Sequence, residues 1–167
     1  MKLEITNETL CDLLNLKVGL FAPLKGFMNE EDFYSVADRL TLSDDKTAFT
    51  IPISLDTDRE AYHNITPGEV LVLEFNGEYC GEIKVESKFT IENIDSVLNQ
   101  IFGTTDDNLP GVKFEKYRSK QRICGEILSV NEKFLDGWLL PETTRAYFSK
   151  QGWKTVAGFQ TRNPIHN

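Results

Sequence analysis

The stretch that decides the fold is EVLVLEFNGEYCGEIKVESKF, residues 69–89. Apolar and polar residues alternate on both sides of Asn76 and Gly77, as they do in strands that bury one face. An Asn-Gly pair readily adopts the left-handed backbone conformation that a type I′ turn requires at both central positions. The stretch therefore predicts a β-hairpin of two antiparallel strands.

Helical and strand patterns extend outward from this hairpin. Leucines at helical spacing follow possible N-caps Thr6 and Asn7, and a second apolar face follows Asn29 and its acidic first turn. Residues 91–103 predict a third helix that stops at Gly103. Three further strands are predicted, at AFTIPISLD (48–56), GVKFEKY (111–117) and QRICGEILSVN (121–131). These elements predict an α+β domain, a small β-barrel or curved sheet with helical decorations.

The last part of the chain has a different pattern of predicted elements. We expect a helix over residues 142–151, a stop at Gly152, and a strand over residues 154–159. A helix that leads into a strand and then a polar loop is typical of the entry to an α/β nucleotide-binding sheet. We therefore predict a domain boundary near Pro141, with residues 1–141 in one domain and 142–167 at the start of another.

Charge and cysteine content narrow the class of protein. The net charge is −8, but residues 142–167 carry +3, which leaves −11 on residues 1–141. Such an acidic surface disfavours binding to nucleic acid or to anionic membranes. The three cysteines are widely spaced, with no metal-ligand pattern, which predicts reduced thiols, a cytoplasmic protein and no metal site. No apolar run approaches the ~20 residues of a membrane helix.

The polar loop QTRNPIH carries the chemistry. Arg162 offers a planar fork that matches two oxygens of sulfate or phosphate. Neutral donors surround it at Gln160, Thr161 and Asn163, and His166 can donate to a phosphate oxygen. This set favours a tetrahedral oxyanion as ligand. On residue chemistry alone, a polar loop that merely caps a strand stays an alternative.

The loop and four other blocks resemble the ATP sulfurylase (sulfate adenylyltransferase) family. The loop, in FQTRNPIH (159–166), is similar to the family pattern Q-x-R-N-P-x-H, which a second His follows after two more residues. The blocks occur in the family's order along the whole chain. They are FAPLKGFM (21–28) with DFYSV (32–36), FTIPISLDT (49–57), IFGTTDDNLPGV (101–112) and AYFSKQGWKTVAGFQTRNP (146–164).

This resemblance implies an architecture and a reaction. It implies a PUA-like β-barrel over residues 1–141 and the start of a nucleotidyltransferase domain over 142–167. The reaction is attack of sulfate on the α-phosphorus of Mg-ATP, which gives adenosine 5′-phosphosulfate and pyrophosphate. The implied site roles are sulfate binding by Gln160 and Arg162, phosphate contacts by Thr161 and Asn163, and an ATP-phosphate contact and catalytic role for His166, with Arg162 also catalytic.

The chain departs from the family pattern at two places. Leu109 stands where the family has a His, and the second His would fall two positions after Asn167. We therefore expect an N-terminal fragment of a longer enzyme, inactive by itself, that binds no cofactor. Sulfate and ATP are the expected partners of the full-length enzyme, which could form a homo-oligomer.

Two other readings stay open. PUA-like barrels in other proteins bind RNA, and only FEKYRSKQR (114–122) is locally basic here. We interpret those residues as a solvated turn between two strands, so RNA binding is disfavoured. The remaining alternative is a non-catalytic binding or scaffold module that serves another subunit.

Overall fold

The computed structural model describes residues 1–160, which divide into two compact units, one of residues Met1–Asp136 and one that begins at Gly137. Unit 1 contains six strands and five α-helices among its elements. The strands are β1 (Lys2–Glu4), β2 (Gly26–Phe27), β3 (Leu55–Thr57), β4 (Val70–Phe75), β5 (Glu78–Thr90) and β6 (Gln121–Val130). The helices are α1 (Asn7–Lys17), α2 (Glu30–Arg39), α3 (Arg59–Asn64), α4 (Ile94–Phe102) and α5 (Pro110–Tyr117), and a 3₁₀ turn spans Glu132–Leu135.

The predicted hairpin is confirmed. Strands β4 and β5 pair antiparallel, with Phe75 opposite Glu78. Asn76 and Gly77 have φ angles of 53° and 74°, the left-handed pair that a type I′ turn needs. A register shift between Leu73 and Glu74 marks a bulge in this ladder, and bulges increase the local twist of a sheet.

The sheet is six-stranded and does not close into the predicted barrel. Its order is β1-β4-β5-β6-β2, and β3 also pairs with β6. Strand β6 thus contacts β5 along one edge and the two short strands β2 and β3 along the other. Because β2 and β3 span two and three residues, they offer too little ladder to continue the sheet round to β1.

The caps and apolar faces of helices α1 and α2 are as the sequence predicts. The Thr6 hydroxyl accepts a hydrogen bond from the Thr9 amide, and the Asn29 side chain accepts one from Asp32. Leu13 of α1 and Phe33 and Val36 of α2 are buried in one hydrophobic core. That core also contains Leu71, Leu73, Ile83 and Ile123 from the sheet.

Two strand predictions in unit 1 are wrong. Residues 111–117 lie in helix α5, because Pro110 suits the first helical turn and Val112 and Glu115, three residues apart, face inward. Of residues 48–56 only Leu55 and Asp56 belong to β3. Pro52 lacks an amide donor, and Ile53 instead bonds to Met28 through its carbonyl, which accepts from the Met28 amide at 3.0 Å.

Unit 2 contains helix α6 (Pro141–Lys150), which matches the predicted helix. The helix is followed by Gly152 in the left-handed conformation, at a φ of 69°. The predicted strand over residues 154–159 is wrong, since these residues form no strand and are exposed. Within residues 1–160 they meet no strand with which to pair, and strands need a ladder partner. The described part of unit 2 therefore gives no α/β sheet.

Candidate functional site

The predicted oxyanion loop lies almost wholly outside the described residues. Gln160 is the last residue described, and it is exposed and in no regular element. Thr161, Arg162, Asn163 and His166 lie beyond it. That these side chains come together stays a prediction.

The segment that leads to this loop presents aromatic and basic side chains. Trp153 stacks on Phe148 with ring centroids 6.0 Å apart and meets Tyr147 edge-on at 5.8 Å. Arg145, Lys150 and Lys154 are exposed. The local positive charge that the sequence indicates thus faces solvent in unit 2.

Unit 1 contains a second group of charged side chains, a buried cluster of two arginines and two carboxylates. The Arg118 guanidinium donates through Nε and Nη2 to Asp56 Oδ1 at 3.0 and 2.8 Å, and through Nη1 to Glu115 Oε2 at 3.1 Å. Its Nη2 also donates to the Ser54 carbonyl at 2.6 Å. Arg122 donates to the other oxygen of Glu115 at 2.6 Å. Glu115 therefore bridges two arginines.

Arg122 is the most enclosed member of the cluster, at 0% exposure. Burial lowers its pKa, and the attraction of Glu115 opposes that shift. Burial also acts to lower the pKa of Arg118, but Glu115 and Asp56 outweigh it and raise that pKa. Within residues 1–160, Nε and Nη1 of Arg122 have no hydrogen-bond partner. The charge of Arg122 is therefore held mainly by Glu115.

The interpretation of FEKYRSKQR as a solvated turn is wrong. Arg118 is largely buried and Arg122 lies inside β6, opposite Asp56 of β3. Sequence reasoning missed this because the partner carboxylate Asp56 lies 62 residues from Arg118. The one available signal was the alternation of β6, which places Arg122 and Cys124 on the same face.

An apolar cavity of about 310 Å³ adjoins the cluster. It brings together three blocks of the sulfurylase resemblance, through Phe21, through residues 51–53, and through Phe102 and Gly111. Its wall also includes Glu8, Asp12, Phe33, Ile101, Phe114, Glu115 and Arg118. A cavity of this size with mainly apolar walls and a few polar groups is typical of small-molecule sites.

Asp12 is the unusual polar group of this cavity. Burial raises its pKa from 3.8 to about 6, while Arg118 lowers it and Glu8 raises it further. Among residues 1–160 its carboxylate accepts no hydrogen bond. Asp12 and Glu8, one helical turn apart on α1, are thus acidic groups without a cationic partner of their own.

Neither a metal-ligand cluster nor a helix of membrane-spanning length occurs in residues 1–160. In residues 1–160, no three His, Cys, Asp or Glu side chains are grouped so that they could hold a metal ion. No helix in this part of the chain has the length and apolar character needed to span a bilayer.

Family comparisons divide the chain much as the structure does. The family model described as "PUA-like domain" matches residues 1–132, and the model described as "ATP-sulfurylase" matches residues 136–167. The division between the structural units falls after Asp136.

Curated relatives match the chain over nearly its full length. A sulfate adenylyltransferase of Pyrococcus abyssi is 39% identical over 99% of this chain, and one of Entamoeba histolytica is 32% identical over 99%. The chain spans only 43% and 41% of the length of these two relatives.

A solved structure supports the fold. The "Hexameric APS kinase from Thiobacillus denitrificans" superposes with a TM-score of 0.65 and 22% identity, over 99% of this chain and 29% of that one. A mixed α+β unit with an open six-stranded sheet, a PUA-like match over four fifths of the chain and a sulfurylase match over its end agree with one another. The chain belongs to the PUA-like domain family through residues 1–132, and residues 136–167 match the ATP-sulfurylase family model.

Proposed function

We propose that this chain is the N-terminal part of a sulfate adenylyltransferase, which joins ATP and sulfate to give adenosine 5′-phosphosulfate and pyrophosphate. The observation that carries the proposal is the order of two matches on one chain, PUA-like over residues 1–132 and ATP-sulfurylase over 136–167. Relatives that bear this enzyme's name match the chain over 99% of its length, which supports the same conclusion.

The proposal divides the protein into a PUA-like domain and a catalytic domain. Residues 1–141 would form the PUA-like domain, and residues 142–167 would begin the nucleotidyltransferase domain. In that domain a sulfate oxygen attacks the α-phosphorus of ATP. The new S–O–P linkage forms as the bond between the α-phosphorus and the bridging oxygen breaks, and pyrophosphate leaves with the electron pair. Positioning and charge neutralisation supply most of the catalysis in such transfers.

The proposed site residues divide this work by charge and shape. Arg162, together with Gln160, would hold sulfate, since a guanidinium fork engages two oxygens at once. Thr161 and Asn163 would donate to the phosphates, and His166 would contact the ATP phosphates. Magnesium would enter with ATP as part of the substrate. A cytoplasmic location and a homo-oligomer of the longer protein belong to this proposal, and the hexameric assembly named for the structural neighbour supports the latter.

The first test is to read the gene beyond codon 167 and assay its whole product. We expect the reading frame to place a His two positions after Asn167, and the longer protein to release pyrophosphate only with both ATP and sulfate. The 167-residue chain is expected to release none. A frame that ends at Asn167, or activity of the 167-residue chain by itself, would contradict the proposal.

The second test is Arg162→Lys in the longer protein. Replacing the planar fork with a single ammonium should lower turnover by about 100-fold or more, since aligned donors to a developing oxyanion contribute on that order. Arg145→Lys, an exposed position of α6, is the matched control and should keep its activity. An Arg162→Lys protein as active as the control would remove Arg162 from the site.

A further inference from the structure

The geometry points to a ligand site in unit 1: we propose that the apolar cavity beside α1 and α5 binds a small organic cation with an apolar or aromatic body. The cavity has a volume of about 310 Å³, within reach of a molecule the size of an aromatic amine.

The apolar walls determine the body of the ligand. Phe21, Phe33 and Phe102 line the cavity together with aliphatic side chains of the 51–53 loop. Removing an apolar ligand from water into such a cavity is favourable in proportion to the area it buries. Aromatic rings also attract a cation that approaches their faces. The ring of Phe114 is already used in this way, with the Arg118 guanidinium 5.3 Å from its centroid.

The charge balance determines the head of the ligand. Arg118 lines the cavity, but its positive charge is neutralised by Asp56 and Glu115, and that of Arg122 by Glu115 as well. Glu8 and Asp12 have no such counter-ion among residues 1–160. Glu8 is exposed, but Asp12 is half-buried. A half-buried carboxylate without a hydrogen-bond donor is costly, and an ammonium or guanidinium brings both the charge and the donors that it lacks. The raised pKa of Asp12 is consistent with this deficit.

The test uses three probes of one shape, namely phenethylamine, phenethyl alcohol and phenylacetate, titrated into the 167-residue protein and followed by two-dimensional NMR. We expect phenethylamine to shift the resonances of cavity-lining residues, and to bind about tenfold more tightly than the neutral alcohol near pH 7.5. Phenylacetate should bind most weakly, because Glu8 and Asp12 repel it.

The Asp12→Asn variant separates the effect of the carboxylate charge on ligand binding from the effect of the shape of the cavity. This variant keeps the shape of the side chain and removes a half-buried charge, so it should fold at least as well as the parent protein. It should lose the preference for the amine over the alcohol. Glu60→Gln, an exposed acid on α3 outside the cavity, makes the same change in net charge and should retain the preference.

The pH gives an independent readout. Four charged groups line the cavity, Glu8 and Asp12 from α1, Glu115 from α5, and Arg118 just after it. Affinity for phenethylamine should fall as pH drops through about 6, where Asp12 takes up its proton. Equal binding of amine and alcohol, tighter binding of phenylacetate, no shifts at the cavity, or an unchanged preference in Asp12→Asn would each overturn the proposal. None of these outcomes bears on the sulfurylase tests above.

Discussion

Helices α5 and α6 begin alike and end in different environments. Each starts with proline in its first turn, at Pro110 and Pro141, and neither has a side-chain N-cap. Helix α5 of unit 1 buries Val112 and Glu115, whereas α6 of unit 2 buries no residue in the described structure. A proline in the first turn is thus common to both helices, but only neighbouring elements decide whether a helix carries a buried charge. Contacts between remote segments therefore stabilise unit 1, as the ion pairs of Glu115 show. We expect substitutions at such contacts to cost more than substitutions at exposed positions.

The largest effect is expected from Glu115→Ala. It leaves Arg122 buried without its counter-ion and deprives Arg118 of one of two carboxylates, at a cost of about 3–5 kcal/mol in the free energy of unfolding. Urea denaturation followed by circular dichroism measures the loss. Glu78→Ala is the control, since its pair with Lys133 is exposed and should contribute less than about 1 kcal/mol. Similar costs for the two variants would show that the cluster is not a buried one.

Gly125→Ala is expected to lower the free energy of unfolding by less than Glu115→Ala does, and Gly158→Ala is its control. A Cβ at Gly125 would lie inside the contact distance of the Lys84 carbonyl, so β5 and β6 must separate. Overpacking of this kind costs about 1–3 kcal/mol. A Cβ at Gly158, in unit 2, meets no atom within 4 Å and should change stability by less than about 0.5 kcal/mol. Thermal unfolding of both variants makes the comparison, and equal effects would contradict it.

The smallest effect, and one of opposite sign, is expected from Asp12→Asn. The folded-state pKa of Asp12, about 6, lies above its ordinary value of 3.8, so ionisation penalises the folded state. Protonated Asp12 therefore favours the folded state, and the parent protein should lose this stabilisation as pH rises from about 4 to above 6. The variant should then be more stable by about 1–2 kcal/mol at pH 8, after allowance for solvent screening, and nearly equal at pH 4.

Urea denaturation at the two pH values tests this prediction. Glu60→Gln, whose carboxylate is exposed, should show no comparable dependence on pH. A destabilised Asp12→Asn protein at pH 8 would mean that Asp12 has a cationic partner after all.

The family and the central hairpin could be predicted from sequence, whereas the buried ion cluster and the cavity beside it could not. The type I′ turn depends on two adjacent residues, Asn76 and Gly77, and the caps of α1 and α2 on residues three apart. The sulfurylase blocks are likewise contiguous strings. The loop residues Thr161 to His166 were predicted in the same way, and they stay a prediction.

What the sequence determined by itself depends on residues that are close along the chain, namely the hairpin, helices α1, α2, α4 and α6, and the family. The tertiary structure decided that the sheet stays open, that residues 111–117 turn into helix α5, and that a basic stretch becomes a buried cluster. The physical reason is distance in sequence. Asp56 meets Arg118 across 62 residues, and the cavity wall combines residues from Glu8 to Arg118. Burial and charge compensation arise only when such remote segments pack together.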